Sequence, residues 1–72
     1  MNEILDCRGL ECPQPVIKLA LKAPSIKVGT TLIVYADCST FKNDVGKWCT
    51  QNDKVLINTV QKDGYLEATI QF

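Results

Sequence analysis

Seventy-two residues are about half of a typical domain of ~150, so the chain is expected to form a single small domain, 1–72, with no second core beside it. Eight Lys and Arg against eight Asp and Glu give a formal net charge of zero, which excludes a general nucleic-acid or anionic-membrane binder that works by bulk positive charge. A hydrophobic fraction of 46% with only four Gly and three Pro is ordinary for a folded globular chain and poor for a disordered one.

Glu3 to Arg8 carries Ile4, Leu5 and Cys7 and is closed by Gly9, which reads as a first strand. A turn follows. Pro13 and Pro15 stand ahead of Val16, Ile17, Ala20, Leu21 and Ala23 at helical spacing. Proline is tolerated in a first helical turn because its missing N–H would have had no partner there. The pattern predicts a helix from about Pro13 that ends before Pro24, with Leu19 toward its polar side. Lys27, Val28 and Gly29 form a turn signal, and Thr31 to Ala36 is a β-branched and aromatic run that predicts a buried strand ended by Asp37.

Ser39 or Thr40 can cap a second helix, whose Phe41, Val45, Trp48 and Cys49 share one face. Asn52 is the expected left-handed stop. Lys54 to Gln61 predicts a third strand, Asp63-Gly64 a hairpin turn, and Tyr65 to Phe72 a fourth strand with Leu66, Ala68, Ile70 and Phe72 on its packing face. Strand, helix, strand, helix, strand, strand, with right-handed crossovers, predicts a two-layer α/β sandwich with both helices on one face of the sheet. Trp48 and Phe41 are expected to be the largest core side chains.

The chain has no His, so the usual general base and the usual metal ligand are missing and chemistry falls to Cys, carboxylates, Lys, Tyr or backbone. The four cysteines, Cys7-x4-Cys12 and Cys38-x10-Cys49, lack the C-x2-C pairs of a structural zinc site, and no metal is expected. No apolar run approaches the ~20 residues of a membrane span and no secretory leader pattern opens the chain, which points to the cytoplasm, where thiols stay reduced.

Cys12 immediately precedes Pro13 at the entrance of the first helix, where unpaired N–H groups and the helix dipole favour thiolate over thiol. Two prolines stiffen Cys12-Pro13-Gln14-Pro15, so the sulfur is read as a nucleophile or carrier; the plainer reading is a small residue at a helix cap. Cys49 and Cys7 fall on apolar faces and read as core. Cys38, at the end of the second strand, lies near the strand ends where sites form and is an auxiliary-thiol candidate.

The run Leu5-Asp6-Cys7-Arg8-Gly9-Leu10-Glu11-Cys12-Pro13-Gln14-Pro15 closely resembles the signature of the TusA/SirA-like sulfur carriers, Leu-Asp, then Gly, then Cys-Pro-x-Pro opening a helix. The resemblance extends through Gly29 to Asp37, Trp48-Cys49 and the final hairpin, essentially the whole chain. It implies a βαβαββ fold, similar to the C-terminal domain of a bacterial translation initiation factor, with two helices on a four-stranded mixed sheet. It also implies that Cys12 accepts sulfane sulfur as a persulfide and passes it to an acceptor protein, with Gly9, Pro13, Pro15 and Asp6 as positioning residues. In two places the chain departs from the family pattern. Ala20 stands where members often carry Lys, and Asp37-Cys38 stands where many have Asp-Pro, a feature similar to the YedF-like branch.

Such a carrier is a sulfurtransferase-type protein that needs no cofactor. A cysteine desulfurase or a rhodanese would supply the sulfur, and no membrane or direct nucleic-acid partner is expected. Lys18 and Lys22, on the polar side of the first helix, are docking candidates. The rival readings are a thiol redox sensor in which Cys12 pairs with Cys7 or Cys38, and an interaction or RNA-binding module using the open sheet face with Tyr35 and Tyr65.

Overall fold

In the computed structural model, which describes residues 2–72, alternate side chains of the two central strands turn toward two helices on one side. The elements are β1 (Asn2–Asp6), α1 (Gln14–Lys22) with a short 3-10 turn at Ala23–Ser25, β2 (Thr31–Ala36), α2 (Phe41–Gln51), β3 (Val55–Gln61) and β4 (Leu66–Gln71). The sheet order is β1-β2-β4-β3. β1 runs parallel to β2, with Leu5 beside Val34, and β4 lies antiparallel to both β2 and β3. A parallel pair requires a crossover, which α1 supplies, while β3 and β4 form the hairpin expected at Asp63-Gly64. There Lys62 N donates to Tyr65 O at 2.7 Å and Gly64 takes a positive φ of 85°.

Period-two burial in β2 places Leu32, Val34 and Ala36 inside, against Ala68 and Ile70 of β4 and Leu5 and Cys7 from the first strand and its exit. The helices contribute Leu19, Phe41, Val45 and Cys49 to the same cluster. This is a two-layer α+β sandwich with two helices on one face of a four-stranded mixed sheet. No helix among the described residues is long and apolar enough to cross a membrane.

Three local expectations are corrected. In α1 the inner line is Pro15 and Leu19, continuing to Ile26, whereas Ile17 is 50% and Leu21 79% exposed. The proline ring in the first turn packs inward and sets the phase, and Leu19, one turn on, follows it. In α2, Phe41, Val45 and Cys49 take the inner line, leaving Trp48 half-buried at the margin with its ring 6.2 Å from that of Phe72. Asn52 keeps a negative φ because its N–H and Nδ2 both bind Trp48 O, at 3.0 and 2.8 Å. Asp53 instead takes the left-handed conformation, φ 57°, and Lys54 N closes the helix end on Cys49 O at 2.9 Å.

Candidate functional site

Because β1 and β2 are parallel, they end at the same edge of the sheet, and each is followed by the N-terminus of a helix. Negative charge is favoured at such an edge by the positive ends of two helix dipoles. Cys12 lies two residues before α1 and is exposed; Cys38 lies between β2 and α2 and is half-buried. Their sulfurs are joined in a disulfide, with Cα atoms 5.5 Å apart, a spacing that needs no backbone displacement for the bond.

The loop that carries Cys12 is tied to β2 at two points. Cys7 N donates to Tyr35 O at 2.7 Å, extending the parallel ladder by one residue. Gly9 N donates to both carboxylate oxygens of Asp37, at 3.2 and 3.0 Å. Gly9 has φ 86°, a conformation that strains any residue with a Cβ, so glycine is required for this turn. Gln14 N then donates to Glu11 O at 2.7 Å and Ile17 N to Pro13 O at 3.2 Å, which leads the chain into α1. Pro13 therefore opens the helix from just outside it, and Pro15 anchors its first turn in the core.

On the other side of the pair, Cys38 Sγ lies 3.7 Å from Thr40 Oγ1, and Thr40 donates its hydroxyl to Asp44 Oδ2 at 2.8 Å. Thr40 is the residue that precedes α2, as expected, but its side chain binds Asp44 rather than a helical N–H. An open cavity of ≈ 230 Å³ reaches Cys38, with Asp37, Lys42, Gln61 and Tyr65 in its walls. Cys12, Cys38 and Asp44 bring three atoms of metal-ligating type within 4.8 Å of one another, but in this state two of them are bonded to each other and the third holds Thr40.

A family model for the sulfurtransferase TusA matches residues 3–72. The chain belongs to the TusA family. Similar members include the sulfur carrier protein TusA of Buchnera aphidicola, 33% identical over 97% of this chain and 89% of that one. A putative sulfur carrier protein of Neisseria meningitidis is 29% identical over 97% of this chain and 95% of its own. Among solved structures, a SirA-like protein from Desulfitobacterium hafniense shares the fold with a TM-score of 0.82 at 24% identity, over 94% of this chain and 93% of that one.

Within this TusA-family frame the remaining candidates fall into separate groups. Asp6 accepts hydrogen bonds from Arg8 N, Nε and Nη2 at 3.0, 3.0 and 2.8 Å. Those bonds, the side-chain ones foremost, hold the Asp6 carboxyl down to about 2 and push Arg8 up. The guanidinium is thereby laid over Tyr65 and Tyr35, 4.8 and 5.3 Å from their ring centroids, and the two rings meet edge to face at 5.4 Å. The aromatic faces suited to stacking a base are thus covered by the protein's own arginine. Lys22 pairs with Glu3 at 3.6 Å, while Lys18 is exposed.

Cys7 and Cys49 are buried, and burial pushes both thiols up, toward the neutral form. The pairing partner of Cys12 is therefore Cys38 and not Cys7. Sequence reasoning missed the roles of Asp37, Arg8 and the Thr40–Asp44 pair. The available signal was register: once Asp6 is set beside Tyr35, Gly9 and Asp37 fall next to each other.

Proposed function

We propose that this protein is a small sulfur carrier that holds sulfane sulfur as a persulfide on Cys12 and delivers it to an acceptor protein. The observation that carries this reading is the exposed Cys12 of a Cys-Pro-x-Pro motif, on a loop clamped by Asp37 at the start of α1, in a chain whose relatives are named sulfur carriers. In loading, the Cys12 thiolate attacks the outer sulfur of a donor persulfide. A new S–S bond forms on Cys12 while the donor's own cysteine leaves as thiolate.

A cysteine desulfurase and a rhodanese are the donor classes proposed to present such a sulfur, in a compartment such as the cytoplasm where thiols are kept reduced. Gly9, Pro13 and Pro15 act by fixing the loop, and Asp6 by fixing Arg8. Lys18, with the exposed Ile17 and Leu21, offers a mixed apolar and cationic surface on α1, the helix that follows Cys12, for docking donor and acceptor in turn.

The test is intact mass after reduction and incubation with a desulfurase and cysteine, or with thiosulfate and a rhodanese. The Cys38→Ser protein, which cannot form the disulfide, is expected to gain ~32 Da that reductant removes, and the Cys12→Ser/Cys38→Ser protein none. Loading that persists without Cys12 would overturn the assignment. The Cys12–Cys38 disulfide favours one second reading, a thiol redox sensor, for which no donor would load sulfur on either protein.

A further inference from the structure

A persulfide on Cys12 would sit within bonding reach of a second thiol, since Cys12 and Cys38 form a disulfide with the loop in place and Asp37 holds the two segments together through Gly9. A passive carrier has no use for such a neighbour, because a thiol at that distance can attack the sulfur that links the cargo to the protein. We propose that Cys38 is the resolving thiol of the carrier, expelling the sulfane sulfur from Cys12 as hydrosulfide. This inference rests on the persulfide reading above and adds a second exit for the cargo, taken when no acceptor thiol removes the outer sulfur.

In this step the Cys38 thiolate attacks the inner sulfur, Cys12 Sγ. The Cys12 Sγ–Cys38 Sγ bond forms and the bond from Cys12 Sγ to the sulfane sulfur breaks, with its electron pair leaving on HS⁻. The sulfane sulfur is reduced from the zero-valent to the sulfide level, and the two cysteines are oxidised to the disulfide, so electrons balance without an outside oxidant. A dithiol reductant then returns the protein to its dithiol state, itself becoming a disulfide.

Local geometry provides a route for the Cys38 proton. Cys38 Sγ lies 3.7 Å from Thr40 Oγ1, whose hydroxyl hydrogen is donated to Asp44, so once the disulfide is open that oxygen can accept from the Cys38 thiol. The Cys38 proton passes to water, which reaches the half-buried thiol through the open cavity beside it. The leaving sulfur departs in line, on the side of Cys12 Sγ away from Cys38, and because Cys12 is exposed the hydrosulfide passes directly to solvent. Cys38 is thereby a reacting residue, and Thr40 and Asp44 act through it as positioning residues.

The experiment follows sulfide and protein mass together, under anaerobic conditions, after loading from a stoichiometric rhodanese persulfide with free thiol removed. Wild-type protein is expected to release about one equivalent of sulfide for each disulfide formed, ending ~2 Da below the dithiol mass. Cys38→Ser is expected to hold its extra ~32 Da and release sulfide at least about tenfold more slowly. The one-to-one ratio of sulfide to disulfide is read on the wild type alone and does not depend on how well the variant folds. If Cys38→Ser loads and wild type keeps the sulfur equally long, the resolving role is wrong and the carrier reading stands. Disulfide formed without sulfide also overturns the resolving role. If neither protein takes up sulfur, both readings fail.

Discussion

Asp6 spends both carboxylate oxygens on one neighbour, and this gives its exposed charge a pH signature. Arg8 holds the folded-state carboxyl at about 2, below its ordinary 3.8, so the unfolded chain takes up this proton first. The contribution is present above the ordinary carboxylate range and is lost as pH falls through about 2. Urea midpoints of wild type and Asp6→Asn are therefore expected to differ at neutral pH and to converge at the acid end; a gap that persists in acid would mean that Asp6 acts by packing or backbone geometry alone. Cys12 was legible in the sequence because Cys-Pro-x-Pro is a local pattern. Arg8 was not, because its partners Tyr35 and Tyr65 are distant in the chain and meet only across the open sheet face.

At the scale of elements, the connection that matters most is the clamp between the β1–α1 loop and the end of β2. Asp37→Ala removes both acceptors of the Gly9 N–H. The net worth of such a partly solvated hydrogen bond is about 1 kcal/mol, so the equilibrium constant for closing Cys12–Cys38 against glutathione is expected to fall about fivefold. Unchanged closure would show that the loop is held by the Cys7–Tyr35 ladder bond and Pro15 without help from Asp37. The strands and hairpin could be read within a residue or two, since period-two burial and Asp63-Gly64 are strong local signals. The phase of α1 could not. Its apolar residues Val16, Ile17, Leu19, Ala20 and Leu21 are not confined to one face, and the inward packing of Pro15, a tertiary fact, decides that Leu19 is buried while Ile17 and Leu21 face out.

For the whole molecule, the disulfide joins residues 26 apart in a chain small enough that its core alone gives modest stability. Constraining a loop of that length in the unfolded state is worth about 3–4 kcal/mol, a large share of what a small domain has. The oxidised protein is expected to unfold at a clearly higher urea concentration than the reduced one, and Cys12→Ser/Cys38→Ser to match the reduced wild type; equal midpoints for oxidised and reduced protein would place the bond in a segment already loose in the native state. The redox state of the site and the stability of the fold are thus coupled, which sequence could not reveal because Cys7 and Cys38 were both available as partners of Cys12. The most direct test of the account is to locate the sulfur. Cys38→Ser protein is loaded from a donor persulfide, alkylated and digested, and its cysteine peptides are sequenced by mass. The account predicts an added ~32 Da between Cys12 and the alkyl group and none on Cys7 or Cys49. Sulfur on a buried cysteine instead, or on none, would contradict it.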